Sequence, residues 1–275
     1  MSLTQNYHIA VPTAFYPDET LNIDATFAHI EYLANKGVKS VLVCGSTGEQ
    51  HSLTVQEKIA MIEQLPKLKV ANDFELIFGL ASIRQKEAEL LAEKIDQSTI
   101  IKGILLGFPP YILPSQAEAF AYASKLILLS NKPTIIYNNP LRTGFSCSLE
   151  TYIELLKEER VIGIKEAGDP TTVQELLART SKELHIYAGG EKELARKIDL
   201  GFNCLSSIAG NLYPQEIEQW FNARLEKQTL PSDHLLVEKI DELYAQSVLP
   251  FIKKEIAEKE KIAFGGCRNP LGTLS

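Results

Sequence analysis

Nowhere does this chain hold about 18 uninterrupted apolar residues, so no segment is expected to span a bilayer. Its start, from Met1 to Tyr7, is polar and lacks the charged and apolar regions of a signal peptide, which makes a reducing cytoplasm the expected location. Cysteine is sparse and scattered. Cys44, Cys147, Cys204 and Cys267 form no C-x-x-C pair, so neither a disulfide framework nor a metal site is expected. Cys44 and Cys204 fall within apolar runs and read as small core residues. Basic residues do not dominate: 28 Lys and Arg stand against 35 Asp and Glu, for a net charge of −7. That leaves no footprint for nucleic acid, although a few local cations suffice to hold a small anion. No Gly-rich dinucleotide fingerprint follows the first apolar run, and no low-complexity segment or charge block splits the chain into modules.

What is present is ordinary in amount and regular in order. Apolar residues make up 45% and charged residues 23% of the 275, as in a soluble globular protein. Short runs rich in Val and Ile occur at 8–15, 40–44, 75–80, 100–106, 134–137, 161–165, 185–188 and 204–208. They are continuous rather than alternating, which suits parallel strands covered on both faces. Amphipathic patterns lie between them, over 24–34, 85–95, 116–129, 148–156 and 214–225. Gly37 and Gly201 follow helical stretches where a left-handed cap is wanted. The economical fold is α/β, a (β/α)8 (TIM) barrel of about 250 residues. An open doubly wound sheet is the runner-up. Two further helical patterns, 233–245 and 251–262, predict a C-terminal helical extension joined through Pro250. The barrel is expected over residues 1–226, with a helical region over 227–275 packed on it.

Four features at the C-terminal ends of these runs carry chemistry. Lys165, in Gly163-Ile164-Lys165-Glu166-Ala167, ends the sixth strand, and that end of a barrel faces the active site. Pointed inward, its ammonium loses solvation and its pKa falls, so the neutral amine can attack a ketone and form an imine. The alternative is a lysine leaving its strand into solvent; Lys102, at the opposite end of its strand, reads as structural. Tyr137 ends the fifth strand, where a phenol can relay a proton, or simply make a structural hydrogen bond. Arg142, in the following Pro- and Gly-containing loop, suits bidentate binding of a carboxylate, or is a solvated loop residue. Gly45-Ser46-Thr47-Gly48-Glu49 follows the second strand and can cradle a small anion; it is no Walker loop, because no Lys follows the second Gly.

Taken with Tyr137-Asn138-Asn139-Pro140 and Arg142-Thr143-Gly144, these motifs resemble, in order and spacing and nearly end to end, the dihydrodipicolinate synthase and N-acetylneuraminate lyase family. The resemblance implies a class I lyase or synthase that holds pyruvate as a covalent imine on Lys165 and needs no other cofactor. It implies Tyr137 as proton relay, Ser46 in the same hydroxyl chain, and Ser46, Thr47 and Gly45 around the pyruvyl carboxylate. It also implies that Tyr111, in Pro110-Tyr111-Ile112-Leu113, completes the chain from a neighbouring subunit, so that the active form is a homodimer or homotetramer. Arg142 matches the residue that holds the aldehyde's carboxylate in the synthase branch. The implied reaction is condensation of pyruvate with L-aspartate-4-semialdehyde, a step of lysine biosynthesis.

Some residues depart from the family pattern. Ser46 stands where Thr is usual. Gly189-Gly190-Glu191 replaces a Gly followed by acidic or amide residues, and Ser206 occupies a strand-eight position that is normally apolar. Gly189 and Ser206 are therefore expected near the acceptor end of the site. The Pro-rich motif expected near Val248-Leu249-Pro250 is not evident. In the pocket where feedback-regulated members bind lysine, Pro110 replaces a tyrosine and Ile83 an asparagine, while Glu87 matches; insensitivity to lysine is expected. Two other readings stand beside the synthase. One is an aldolase for a 2-keto-3-deoxy sugar acid or hydroxy-keto acid. The other is a barrel that binds a keto acid for regulation without turnover, against which the presence of Lys165 and Tyr137 weighs.

Overall fold

The computed structural model describes residues 3–231 and 233–272. Eight parallel strands close into a barrel in sequence order: β1 (Tyr7–Ala10), β2 (Ser40–Val43), β3 (Glu75–Leu80), β4 (Ile101–Gly107), β5 (Thr134–Asn138), β6 (Val161–Glu166), β7 (His185–Gly189) and β8 (Cys204–Ser207). Pairing of β1 with β8 completes the ring. The helices outside are α1 (Ile23–Asn35), α2 (Val55–Gln64), α3 (Gln85–Gln97), α4 (Gln116–Ser130), the single turn α5 (Pro140–Thr143), α6 (Leu149–Leu155), α7 (Thr171–Arg179), α8 (Leu194–Asp199) and α9 (Pro214–Leu225). Beyond the barrel, α10 (Asp233–Ala245) and α11 (Val248–Glu260) form the C-terminal helical extension. Among the described residues no helix is long and apolar enough to cross a membrane.

The continuous apolar strands feed two cores. Ile9, Val41, Phe78, Ile104, Ile136, Ile164 and Leu205 face the helices, while Ala10, Leu42, Ile77, Leu105, Ile135, Tyr187 and Cys204 fill the lumen. This is the two-residue alternation of a strand buried on both sides. The N-terminal segment plugs the lower end of the lumen. Leu3 joins the lumen core, and the Glu75 carboxylate accepts hydrogen bonds from Thr4 N at 2.6 Å, Thr4 Oγ1 at 2.8 Å and Gln5 N at 3.3 Å. A cavity opens at the end where the strands exit.

Several boundaries differ from expectation for identifiable reasons. The first strand stops at Ala10, not at 15: Val11 N still donates to Leu42 O at 3.0 Å, but Pro12 has no N–H to continue the ladder. The second stops at Val43, because Cys44 turns to φ 54. Ser148 caps α6 from outside by accepting Thr151 N. Gly37 and Gly201 adopt φ of 94° and 101°, as their capping role requires. Pro250 is not the hinge between the last two helices. It lies in the first turn of α11, where a missing N–H costs nothing, and the break falls at Gln246-Ser247. The crossover helices α2, α7 and α8 had no predicted counterpart, although the Thr54–Glu57 capping box that opens α2 is visible in the sequence.

Candidate active site

At the open end lies a cavity of about 600 Å³. Its walls include Gly45, Ser46 and Thr47 after β2, Tyr137 and Asn139 at the end of β5, and Arg142 on α5. The rest is largely apolar: Leu105, Phe108, Ile208 and, from the C-terminal extension, Tyr244 and Ser247 to Pro250. Among the described residues no carboxylate lines the cavity, and Arg142 supplies a permanent positive charge.

Lys165 points inward and is 7% exposed. Its Nζ lies 4.8 Å from the centre of the Tyr137 ring and donates to Ser206 Oγ at 2.8 Å. The two residues are register partners on β5 and β6, which brings amine and phenol together. Burial holds the Lys165 ammonium below its ordinary pKa and Arg142 adds to this, against the opposing pull of Tyr137 and Glu191. For Tyr137, burial alone would raise the phenol pKa. The neighbouring Lys165 cation, hydrogen bonding by Asn139 and Ser46, and the Arg142 charge outweigh it, so the net shift is downward. Asn139 Nδ2 donates to the phenol oxygen at 2.7 Å. Ser206 and Gly189 sit in the lumen below the cavity wall. A β-carbon at Gly189 would meet Lys165 Cε at 3.4 Å, so glycine leaves the lysine its room.

The loop after β2 is held in an uncommon shape. Cys44 and Glu49 both take positive φ, 54° and 53°. Gly79 is required beneath them, since a β-carbon there would stand 2.0 Å from the Cys44 carbonyl oxygen. Burial pushes the Cys44 thiol up to about 12, so it is no thiolate nucleophile at the cavity wall. Glu49 is wholly buried, pairs with Lys253 of α11 and accepts Arg268 N at 3.0 Å.

Buried carboxylates that the sequence reading passed over hold the neighbouring loops. Glu166 accepts from Asn138 Nδ2 at 2.9 Å, Tyr152 OH at 2.8 Å and Gly168 N at 2.6 Å, tying the ends of β5 and β6 together. Glu191 accepts from Ser207 Oγ at 2.6 Å, Ile208 N at 3.0 Å, Ala209 N at 3.1 Å and Tyr244 OH at 2.8 Å, which docks the extension onto β8. Asn139 was within reach of sequence reasoning as an amide beside a candidate phenol. Glu191 gave no such signal, because its partners come from two separate segments, residues 207–209 and Tyr244.

Tyr111 does not join this set. It is 88% exposed, at φ 74, and lines no part of its own chain's cavity. Glu87 is taken up locally by Ser82 Oγ at 2.9 Å and Arg84 at 3.3 Å. Among the described residues no group of three or more His, Cys, Asp or Glu is arranged to hold a metal ion.

The model of the dihydrodipicolinate synthetase family matches residues 4–275. The chain is 29% identical over 270 residues to a 4-hydroxy-tetrahydrodipicolinate synthase of Methanosarcina barkeri, covering 97% of this chain and 91% of that one. Identity to the synthase of Idiomarina loihiensis is 32% over 209 residues, covering 74% and 69%. Among solved structures, dihydrodipicolinate synthase from Aquifex aeolicus superposes with a TM-score of 0.89 at 24% identity, covering 99% and 93%. A sialic acid aldolase of Ruminococcus gnavus gives 0.87 at 19%, covering 98% and 91%.

Proposed function

The chain belongs to the dihydrodipicolinate synthetase family, and from that premise we propose that it condenses pyruvate with L-aspartate-4-semialdehyde through an imine on Lys165. The observation that carries this reading is the buried Lys165 amine, 4.8 Å from the ring of Tyr137, a residue of the cavity wall. A desolvated amine is a nucleophile at lower pH than a solvated one.

In this reading Ser46 and Thr47 hold the pyruvate carboxylate. The neutral Lys165 amine adds to the ketone carbon, water leaves with protons relayed through Tyr137, and an iminium remains. Loss of a methyl proton gives an enamine, whose carbon attacks the aldehyde. Arg142 holds the aldehyde's carboxylate. The iminium is itself the electron sink, so no organic cofactor or metal is called for. The partners are pyruvate and a small aldehyde, with neither nucleic acid nor membrane, and the setting is the cytoplasm. The synthase is preferred to a sugar-acid aldolase because Arg142 at the cavity wall suits the carboxylate of the semialdehyde.

Tyr111, 88% exposed, follows Pro110 of the cavity wall and is tied by its backbone N–H to Thr143 O at 3.3 Å, and Leu141 of the same wall is 94% exposed. Uncovered aromatic and aliphatic side chains there suit a second copy of the chain, to which Tyr111 would lend its hydroxyl in a homodimer or homotetramer.

Borohydride reduction in the presence of pyruvate tests the first step: a mass increase on Lys165 is expected, and none in Lys165→Ala. Trapping that survives in Lys165→Ala would move the nucleophile elsewhere. Coupled turnover should follow with aspartate semialdehyde and not with cleavage of N-acetylneuraminate or 2-keto-3-deoxy sugar acids; the reverse pattern selects the aldolase. The same assay should keep its rate in millimolar lysine.

A further inference from the structure

Gly189-Gly190-Glu191 follows β7, and the chemistry above draws only on its first residue. The next three residues share a duty: Gly190, Glu191 and Lys192 all meet one side chain, Tyr244 of α10. The Tyr244 hydroxyl donates to Glu191 Oε2 at 2.8 Å. The Lys192 ammonium lies 4.8 Å from the centre of the Tyr244 ring, where the face of the ring attracts it. Gly190 takes a φ of 103°, and a β-carbon there would stand 2.5 Å from the phenol oxygen, so a side chain at this position would displace the ring.

The two oxygens of Glu191 are used unequally. Oε1 accepts from Ser207 Oγ at 2.6 Å, Ile208 N at 3.0 Å and Ala209 N at 3.1 Å, which fixes the carboxylate without help from α10. Oε2 has one donor among the described residues, the Tyr244 hydroxyl. Tyr244 lines the cavity with Ile208 and Ser247 to Pro250, while the carboxylate bonded to its hydroxyl is buried. The site of reaction is close by. Gly189, two residues before Glu191, would bring a β-carbon within 3.4 Å of Lys165 Cε, and the Glu191 charge acts on the Lys165 ammonium. An aldehyde that reacts at Lys165 lies in the cavity that Tyr244 bounds.

Resting on the imine reading, we infer that Tyr244 is a specificity-determining residue: it covers the Glu191 carboxylate and so denies uncharged hydroxylated aldehydes the acceptor that would hold them. A hydroxyl taken from water needs a partner in the cavity, and a carboxylate oxygen is a stronger acceptor than a neutral phenol. With Tyr244 in place that oxygen is taken. With the ring removed, Oε2 faces the space the ring has left in the cavity wall, and the three bonds to Oε1 keep the carboxylate where it was. One side chain of the extension thereby sets which class of aldehyde the barrel accepts.

The test is kcat/KM for condensation of pyruvate with glyceraldehyde and with propanal, the same three carbons with and without hydroxyl groups. Tyr244→Ala should raise the ratio of glyceraldehyde to propanal about tenfold, the scale of one hydrogen bond to a charged group. The gain should appear in KM rather than kcat, because the hydroxyl is held alike before and during reaction. Tyr244→Phe keeps the ring as a cover and should keep the wild-type ratio. Adding Glu191→Gln to Tyr244→Ala removes the charge and should remove most of the gain. If Tyr244→Ala does not fold, Tyr244→Leu also frees Oε2 and gives the same comparison. An unchanged ratio in the folded variant, an equal gain for both aldehydes, the same gain in Tyr244→Phe, or a gain undiminished by Glu191→Gln would overturn the inference. A wild type that borohydride does not trap with pyruvate overturns the imine reading itself; a wild type that is trapped, with no effect of Tyr244 on the ratio, overturns only this inference.

Discussion

Tyr137 and Lys165 occupy one rung of the barrel, and each alters the other's proton affinity. The Lys165 cation helps to draw the phenol below its usual pKa, and Tyr137 in turn pulls the amine's pKa upward against the effect of burial. The sign for a variant follows. With Tyr137→Phe, the upward influence on Lys165 is gone and burial acts unopposed by the phenol, so the neutral amine appears at lower pH. The pH midpoint of pyruvate trapping, expected below the ordinary lysine value of 10.5 in the wild type, should move further down in this variant. Turnover should meanwhile fall by about 10²–10⁴, the usual loss for a proton-transfer group. Trapping followed by mass, set against steady-state turnover, reads the two effects separately. A midpoint that rises would mean that Tyr137 does not act on the amine's charge.

Among the elements, the loop after β2 depends on a helix nearly two hundred residues later in the chain. Glu49 ends the Gly45–Glu49 motif, and its buried carboxylate is held by Lys253 of α11 and by Arg268 N. Arg268 is itself fixed: its guanidinium binds Glu57, Ser52 O at 2.7 Å and Glu19 O at 2.7 Å. The extension therefore fixes the shape of the Gly45–Glu49 loop as well as forming part of the cavity wall. Lys253→Met leaves the Glu49 charge buried without its cation, a change that costs about 3–5 kcal/mol. A lower melting temperature is expected, and with it a raised KM for pyruvate as Ser46 and Thr47 loosen. Adding Glu49→Gln to Lys253→Met should recover much of the stability, because the unpaired charge is then gone. Calorimetry and pyruvate kinetics check both, and an unaltered KM would separate the ion pair from the loop's function.

For the whole molecule, the question is where Tyr111 acts. Its backbone is tied to Thr143 O at 3.3 Å, while its side chain lies 88% exposed. A phenol that serves a neighbour's site can be exchanged between chains. Tyr111→Phe and Lys165→Ala should each be nearly inactive alone, yet a mixture refolded together should regain activity, since hybrid sites combine an intact lysine with an intact tyrosine. A mixture no more active than its components would return Tyr111 to a role outside the site.

The order of elements was legible because parallel strands buried on both faces must be apolar throughout, and their eight runs recur at a helix-sized interval. Lys165, Tyr137, Arg142 and the Gly45–Glu49 loop were legible for a related reason: each is a polar group at the C-terminal end of an apolar run, which in a barrel can only be the open end. The rest arises from closure. Tyr7, His8 and Ile9 find their register partners Leu205, Ser206 and Ser207 only because β1 pairs with β8, and Glu191 finds four donors only when α10 and β8 come to it. The local chain therefore settled which groups point into the lumen; closing the ring decided which of them touch, because a hydrogen bond needs partners a few ångströms apart and sequence distance carries no information about that.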